Sequence, residues 1–175
     1  MLNLINMKNV LIVSATLNNN YSLGKELKTF LTDLDTDCSL ISLENYTLPV
    51  YTDKVFDEEK QSYKEIIEDL TDRFVKADGL IICGPEYNGS TPPILNNTIA
   101  WISCSTDYWR DAFSNKIALV ATSSGGPGVK FVSTMKMQLE HLGCIVMPRP
   151  ISSNNSSPMN KDSIKKILNQ FVKHL

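Results

Sequence analysis

The chain has 175 residues, of which 42% are hydrophobic and 21% charged. That length buries the core of one domain, residues 1–175, and the composition excludes a disordered chain, a collagen-like repeat and a small disulfide scaffold. The 17 basic and 19 acidic residues leave a net charge of −2 with no basic stripe, so no nucleic-acid partner is expected, nor the strong negative charge common in small electron carriers.

Met1 to Asn6 lacks a charged segment followed by a long apolar one, so no secretory signal is expected there, and Met7 offers a second start just before the first strand. Lys8 to Ser14 is a short apolar run ending in small polar residues, which predicts a buried strand. Leu23, Leu27, Phe30, Leu31 and Leu34 then recur at helical spacing, with Ser22 as the expected cap. Cys38 to Leu43 predicts the second strand. Asp57 is the expected start of a long helix whose apolar face is Tyr63, Ile66, Ile67, Leu70 and Phe74. Gly79 to Cys83 is apolar throughout, as suits a strand covered on both faces. Thr91 is read as a cap and Pro92 as the first residue of a helix reaching about Cys104. Ile117 to Ala121 predicts the fourth strand, Val132 to Leu142 a helix ended by Gly143, and Ile145 to Met147 a short fifth strand. Ile151 to Asn160 reads as a surface loop, and Ile164 to Val172 as a closing amphipathic helix.

Five strands alternating with helices argue for an α/β domain with one parallel sheet covered on both faces. Ligands of such sheets bind at the carboxyl ends of the strands. Three loops should meet there: Ser14 to Ser22, Gly84 to Ser90 and Thr122 to Gly128. In the first, helix-terminal N–H groups favour a phosphate, and Ser14, Thr16, Asn18 and Ser22 add donors. By itself it is equally a polar turn before a capped helix. It is neither a dinucleotide-binding glycine fingerprint nor a nucleotide-triphosphate loop. The second offers two glycines, a stiff Pro85, the aromatic face of Tyr87 and the amide of Asn88. The third has adjacent glycines, Gly125 and Gly126, after a buried strand. Each is also a plain strand–helix connection.

The segment GPEYNGSTPPILNNTIAWIS, Gly84 to Ser103, resembles the signature of the NAD(P)H-dependent FMN reductase family, small flavoproteins of flavodoxin-like fold that include azoreductase-, quinone reductase- and chromate reductase-like members. Weaker similarity extends over Leu48–Tyr51 with Asp53, over Phe113–Lys116 with Asn115 in place of a glycine, and over Ser123–Gly128. The resemblance implies a three-layer sandwich with strand order 2-1-3-4-5. It implies FMN, with NADPH or NADH as co-substrate and a flavin, quinone, azo compound or metal ion as acceptor. Carried over residue by residue, Thr16 and Ser22 stand where the family has phosphate-contacting serines. Pro85, Glu86, Tyr87, Asn88 and Gly89 stand in the segment lining the isoalloxazine ring. Ser124 and Gly125 fall near the opposite part of the ring. Hydride transfer to flavin needs no side-chain acid or base, so no catalytic residue is named.

The first loop departs from the family. Asn18 replaces an arginine, and one residue is inserted before Ser22. Losing a charge-assisted contact costs about 1–3 kcal/mol of phosphate binding, so flavin is expected to be lost on purification. Two alternatives follow, an FMN electron carrier fed by a protein and a non-enzymatic flavin-fold protein with a binding or regulatory role. Asp107 to Arg110 is weighed either as a wall of the nicotinamide pocket, with Arg110 on a cofactor phosphate, or as a surface loop.

The four cysteines, Cys38, Cys83, Cys104 and Cys144, form no CxxC, and with His141 and His174 they match no metal site. A reduced, cytoplasmic protein is expected. Cys83 is read as a core residue, with a flavin-adjacent thiol as the alternative. No apolar run approaches the roughly 20 residues of a membrane helix. The resemblance implies a homodimer, with the Trp101 helix and the Tyr108–Trp109 loop as its apolar surface; pairing into tetramers stays open.

Overall fold

In the first strand, Val10, Leu11, Ile12 and Val13 offer no polar side chain to either face, and the chain buries both. The computed structural model describes residues 8–154, 156–158 and 160–175. The readings of Met1 to Asn6 and of Met7 lie outside the described residues. The elements begin β1 (Asn9–Ser14), α1 (Asn19–Thr32), β2 (Asp37–Ser42), α2 (Asp53–Glu59), α3 (Lys64–Lys76), β3 (Gly79–Cys83) and α4 (Pro93–Ser103). They continue with β4 (Ile117–Ser123), α5 (Val129–His141), β5 (Ile145–Val146), β6 (Ile151–Ser153) and α6 (Lys161–His174).

The sheet runs β2-β1-β3-β4-β5, with every pairing parallel. This is the flavodoxin-like order. Side chains alternate between two cores. Val10, Ile12 and Ile81 point with Leu23, Leu27 and Leu31 of α1 and Ile164, Leu168 and Phe171 of α6 into one. Leu11, Val13, Leu80 and Ile82 join Leu70, Phe74, Leu95, Phe131 and Leu139 in the other. Three layers result.

Helix starts differ from the sequence reading in three places. Asn18, not Ser22, caps α1: its Oδ1 accepts the N–H of Asn20 at 3.2 Å. The helix therefore begins four positions before Leu23, and Ser22 sits within it. Its first turn is polar, so the apolar stripe does not announce it. Thr52, not Asp57, caps the next helix, with Oγ1 taking the N–H of Val55 at 3.1 Å. A 3₁₀ turn over Lys60–Tyr63 then separates α2 from α3. No glycine or proline marks that break, so the sequence reads as one helix. At α4 the cap is Pro92 and the first residue Pro93. A residue before proline is pushed out of the helical region, which keeps Pro92 outside. Thr91 is buried instead, its hydroxyl accepting from Asn96 Nδ2 at 3.1 Å.

The expected surface loop after Met147 contains a strand. Ile151, Ser152 and Ser153 of β6 pair with Ala121, Thr122 and Ser123 of β4, while β5 pairs lower down with Ile117 and Ala118. Pro148 and Pro150 divide this edge into two pieces, and only Ile151 of β6 is apolar, so no strand pattern shows. Asn115 takes φ +64°, the left-handed region where a glycine is at ease, and its N–H donates to Gly143 O at 2.9 Å.

Candidate functional site

Ser14, Cys83 and Ala121 stand side by side at the carboxyl edge of the sheet. The three loops leaving this edge converge, and the end of β6 joins them. Between them lies a hollow of about 550 Å³ lined by Asn18, Asn19, Pro85, Glu86, Tyr87, Ser123, Ser124, Gly125, Ser153, Asn154 and Pro158.

In the first loop the small polar groups bond to one another. Ser14 is fully buried, and its hydroxyl donates to Thr16 O at 2.7 Å. Thr16 Oγ1 donates to Asn18 Oδ1 at 2.6 Å. Both shape the loop from behind and neither lines the hollow; Asn18 and Asn19 do. Ser22 lines a separate hollow of about 240 Å³ with Asn19 and Glu26, and its N–H is used by Asn18 O at 3.2 Å. Leu17 N–H is taken by a carboxylate oxygen of Glu44, on the 3₁₀ turn after β2.

Asn20 was not anticipated. It is fully buried; its Nδ2 donates to Ser123 O at 2.9 Å and its Oδ1 accepts Ser123 N–H at 2.8 Å. This pair ties the first turn of α1 to the end of β4. The signal was present: Asn20 lies three and four positions before Leu23 and Gly24, on the buried face of the helix.

The second loop ends in a tight turn. Tyr87 and Ser90 exchange backbone hydrogen bonds of 3.1 and 2.9 Å around Asn88 (φ +50°) and Gly89 (φ +74°). Two left-handed residues in a two-residue connection are what Asn-Gly favours. Asn88 and Gly89 form the tip and do not line the hollow, whereas Pro85, Glu86 and Tyr87 do. Tyr87 is 45% exposed. The Glu86 carboxylate turns toward α5, accepting the N–H of Lys130 at 3.0 Å and of Phe131 at 3.4 Å.

Glu86 N–H donates to Ser124 Oγ at 2.9 Å, and Ser124 Oγ lies 2.9 Å from Thr122 Oγ1. The second and third loops are thereby locked together. A Cβ built on Gly125 or Gly126 meets nothing within 4 Å, so this stretch of backbone is open to the outside.

Cys83 sits behind the loops, fully buried, and burial pushes its thiol up to about 12. It is a core residue. The Tyr108–Arg110 segment follows α4, which starts at the carboxyl edge and ends at the opposite one. There the Arg110 guanidinium stacks 4.2 Å over Trp109, whose ring centroid is 5.4 Å from that of His141 at the end of α5. Within one chain this segment does not wall the hollow.

Residues 7–157 match the family model described as NADPH-dependent FMN reductase. The chain belongs to this family. The quinone reductase of Escherichia coli (strain K12) is 33% identical over 105 residues, 59% of this chain and 53% of that protein. The chain thus spans about half the length of that family member. The 2-hydroxy-1,4-benzoquinone reductase of a Burkholderia species is 30% identical over 135 residues, covering 74% and 69% of the two chains. The flavoenzyme NAD(P)H:(acceptor) oxidoreductase of Paracoccus denitrificans shares the fold, with a TM-score of 0.74 at 22% identity over 95% of this chain and 96% of that one.

The family's cofactor can be tested against the residues present. A hollow of about 550 Å³ is of ligand size. Pro85, the half-exposed Tyr87 and the open backbone at Gly125 suit a flat aromatic ring. Asn18, Asn19 and the start of α1 offer a phosphate polar and backbone groups. Among the described residues no lysine or arginine lines the hollow.

Proposed function

We propose that this protein is an FMN-dependent NAD(P)H oxidoreductase that passes hydride from a nicotinamide cofactor to a small acceptor. Quinones come first among the acceptors, because two of its relatives are quinone and benzoquinone reductases. Azo compounds, free flavin and metal ions follow, since an open ring face discriminates little. The observation that carries the reading is the convergence of Pro85–Tyr87 and Ser124–Gly125 on one hollow in a chain of this family.

The flavin, when bound, supplies the two-electron chemistry, and the protein supplies binding, orientation and electrostatics. In this reading Pro85 and Tyr87 contact the ring, while Glu86 positions the loop that carries them. Ser124 and Gly125 border its other side; Ser124 N–H is taken by Ser153 O at 3.2 Å, which leaves the open backbone at Gly125 and Gly126 to meet developing negative charge. Asn88 and Gly89 shape the turn that places Tyr87. Asn18 and Asn19 meet the phosphate; Ser14 and Thr16 support that loop from behind, and Ser22 lies outside the contact set.

The same reading makes the protein a cytoplasmic homodimer. In its support, Val50 is 78% exposed beside Ile94 and Ala100 in an apolar hollow along α4, and Tyr108 and Trp109 are partly exposed. Trp101 is fully buried, its indole N–H donating to Pro49 O at 2.9 Å, so the interface would use the outer face of α4 without it. The free cysteines agree with a reducing compartment. Among the described residues no helix is long and apolar enough to cross a membrane.

The test is a visible spectrum of the purified protein with added FMN, followed by anaerobic NADPH and NADH. The expected result is a bound-flavin spectrum that one nucleotide bleaches at a catalytic rate. Bound flavin that neither nucleotide reduces would point to an electron carrier instead. Light scattering in the same buffer checks the dimer.

A further inference from the structure

The charges around the start of α1 are acidic on both sides. Glu44 reaches from the turn after β2 and occupies Leu17 N–H. Glu26 borders the small hollow on the other side, with Asn19 and Ser22. Asn18 turns its side-chain oxygen onto Asn20 N–H and the Thr16 hydroxyl. Among the described residues lining the hollow only Glu86 is charged, and its carboxylate turns away onto the N–H groups of Lys130 and Phe131. A phosphate placed here would meet backbone amides and a helix start, which attract it. No lysine or arginine is among the described residues lining the hollow, and one amide of the adjoining loop, Leu17 N–H, is already occupied by the Glu44 carboxylate. The Glu44 charge beside the loop therefore works against the attraction of the helix start. The ring end carries no such conflict, because its contacts are Pro85, Tyr87 and the open Gly125 backbone.

We propose that this site holds flavin by its ring system and is nearly indifferent to the 5′-phosphate, so that riboflavin is as good a ligand as FMN. The ligand class is then the neutral isoalloxazines as well as the phosphorylated cofactor. Glu44 is the residue that sets this: its carboxylate both consumes a donor and repels a dianion. The proposal rests on the flavin reading of the hollow.

The experiment is a fluorescence-quenching titration of the protein with FMN and, separately, with riboflavin, at low and at high salt. The expected dissociation constants lie within about fivefold of each other, the scale of one exposed charge interaction. Glu44→Gln keeps an acceptor for Leu17 N–H and removes the charge; it should tighten FMN by about fivefold and leave riboflavin unchanged. Asn18→Arg, tested in parallel with circular dichroism on both variants because it also removes the α1 cap, should raise the ratio of FMN to riboflavin affinity. FMN binding more than about a hundredfold tighter than riboflavin, the scale of a charge-assisted phosphate contact, would overturn the proposal. So would a Glu44→Gln variant that is folded and binds FMN no better. Failure of both flavins to bind would instead remove the flavin reading itself.

Discussion

The carboxylate of Glu86 accepts the backbone N–H of Lys130 at 3.0 Å, so a residue of the loop after β3 caps the helix after β4. Glu86 also gives its own N–H to Ser124 Oγ. One residue therefore sets the spacing of the two loops that border the hollow. Glu86→Ala should cost about 1–2 kcal/mol of stability, the scale of a lost helix cap, read from urea denaturation. Glu86→Gln should cost less. With FMN bound, it should also raise the flavin's reduction potential by an amount on the order of tens of millivolts, because reduction adds negative charge beside a site that has lost one.

Asn20 bridges α1 and β4 by two hydrogen bonds to Ser123 from a fully buried side chain. Asn20→Ala removes both hydrogen bonds and leaves the N–H and the carbonyl of the half-buried Ser123 to be met by water at the edge of the hollow. The expected loss is about 1–2 kcal/mol, the scale of two net hydrogen bonds. Flavin affinity should fall with it, since the first and third loops lose their shared anchor. Denaturant unfolding and flavin titration of one preparation check both.

Gly125 and Gly128 predict opposite outcomes. At Gly125 a Cβ meets nothing in the chain. Gly125→Ala should leave stability unchanged or raise it by about 0.4–1 kcal/mol, while weakening flavin binding because the methyl group borders the hollow. At Gly128, φ is +66° and a Cβ would lie 2.8 Å from Thr122 Cγ2. Gly128→Ala should destabilise by more than about 1 kcal/mol. Thermal melts distinguish the two.

Cys104 is exposed, whereas Cys38, Cys83 and Cys144 are buried, and burial pushes the Cys83 and Cys144 thiols up to about 12. A thiol reagent at mildly alkaline pH should label Cys104 quickly and the other three only on unfolding. Cys104 follows α4 toward the edge opposite the hollow, so added flavin should not protect it. Mass spectrometry of the labelled protein reports which thiols react.

The sheet was legible because its strands are apolar on both faces: Val10–Val13, Leu80–Cys83 and Ala118–Ala121 leave no other reading. The convergence of the three loops followed from strand order alone. What the residues could not announce was the direction of polar side chains. Ser14, Thr16, Asn18 and Ser22 look alike as donors in a row, yet two of them bond within the loop and Ser22 lies in a helix that began earlier. Asn20, set among three asparagines, gave no sign of being the buried one beyond its spacing to Leu23. Ser153 and Asn154 escaped notice because a three-residue strand of mostly serine has no pattern to detect. The acid on the first loop, Glu44, is distant in sequence, and only the fold brings it to Leu17.

The outer rim of the sheet beyond β4 is made in two short pieces. Between β5 and β6 run Pro148 and Pro150, which have no N–H to give, and Lys136 places its ammonium on Pro148 O at 2.7 Å. A neighbouring chain seeking to add a strand here finds no continuous row of donors and acceptors longer than three residues. The break that lets Ser153 reach the hollow also denies this rim to cross-β aggregation.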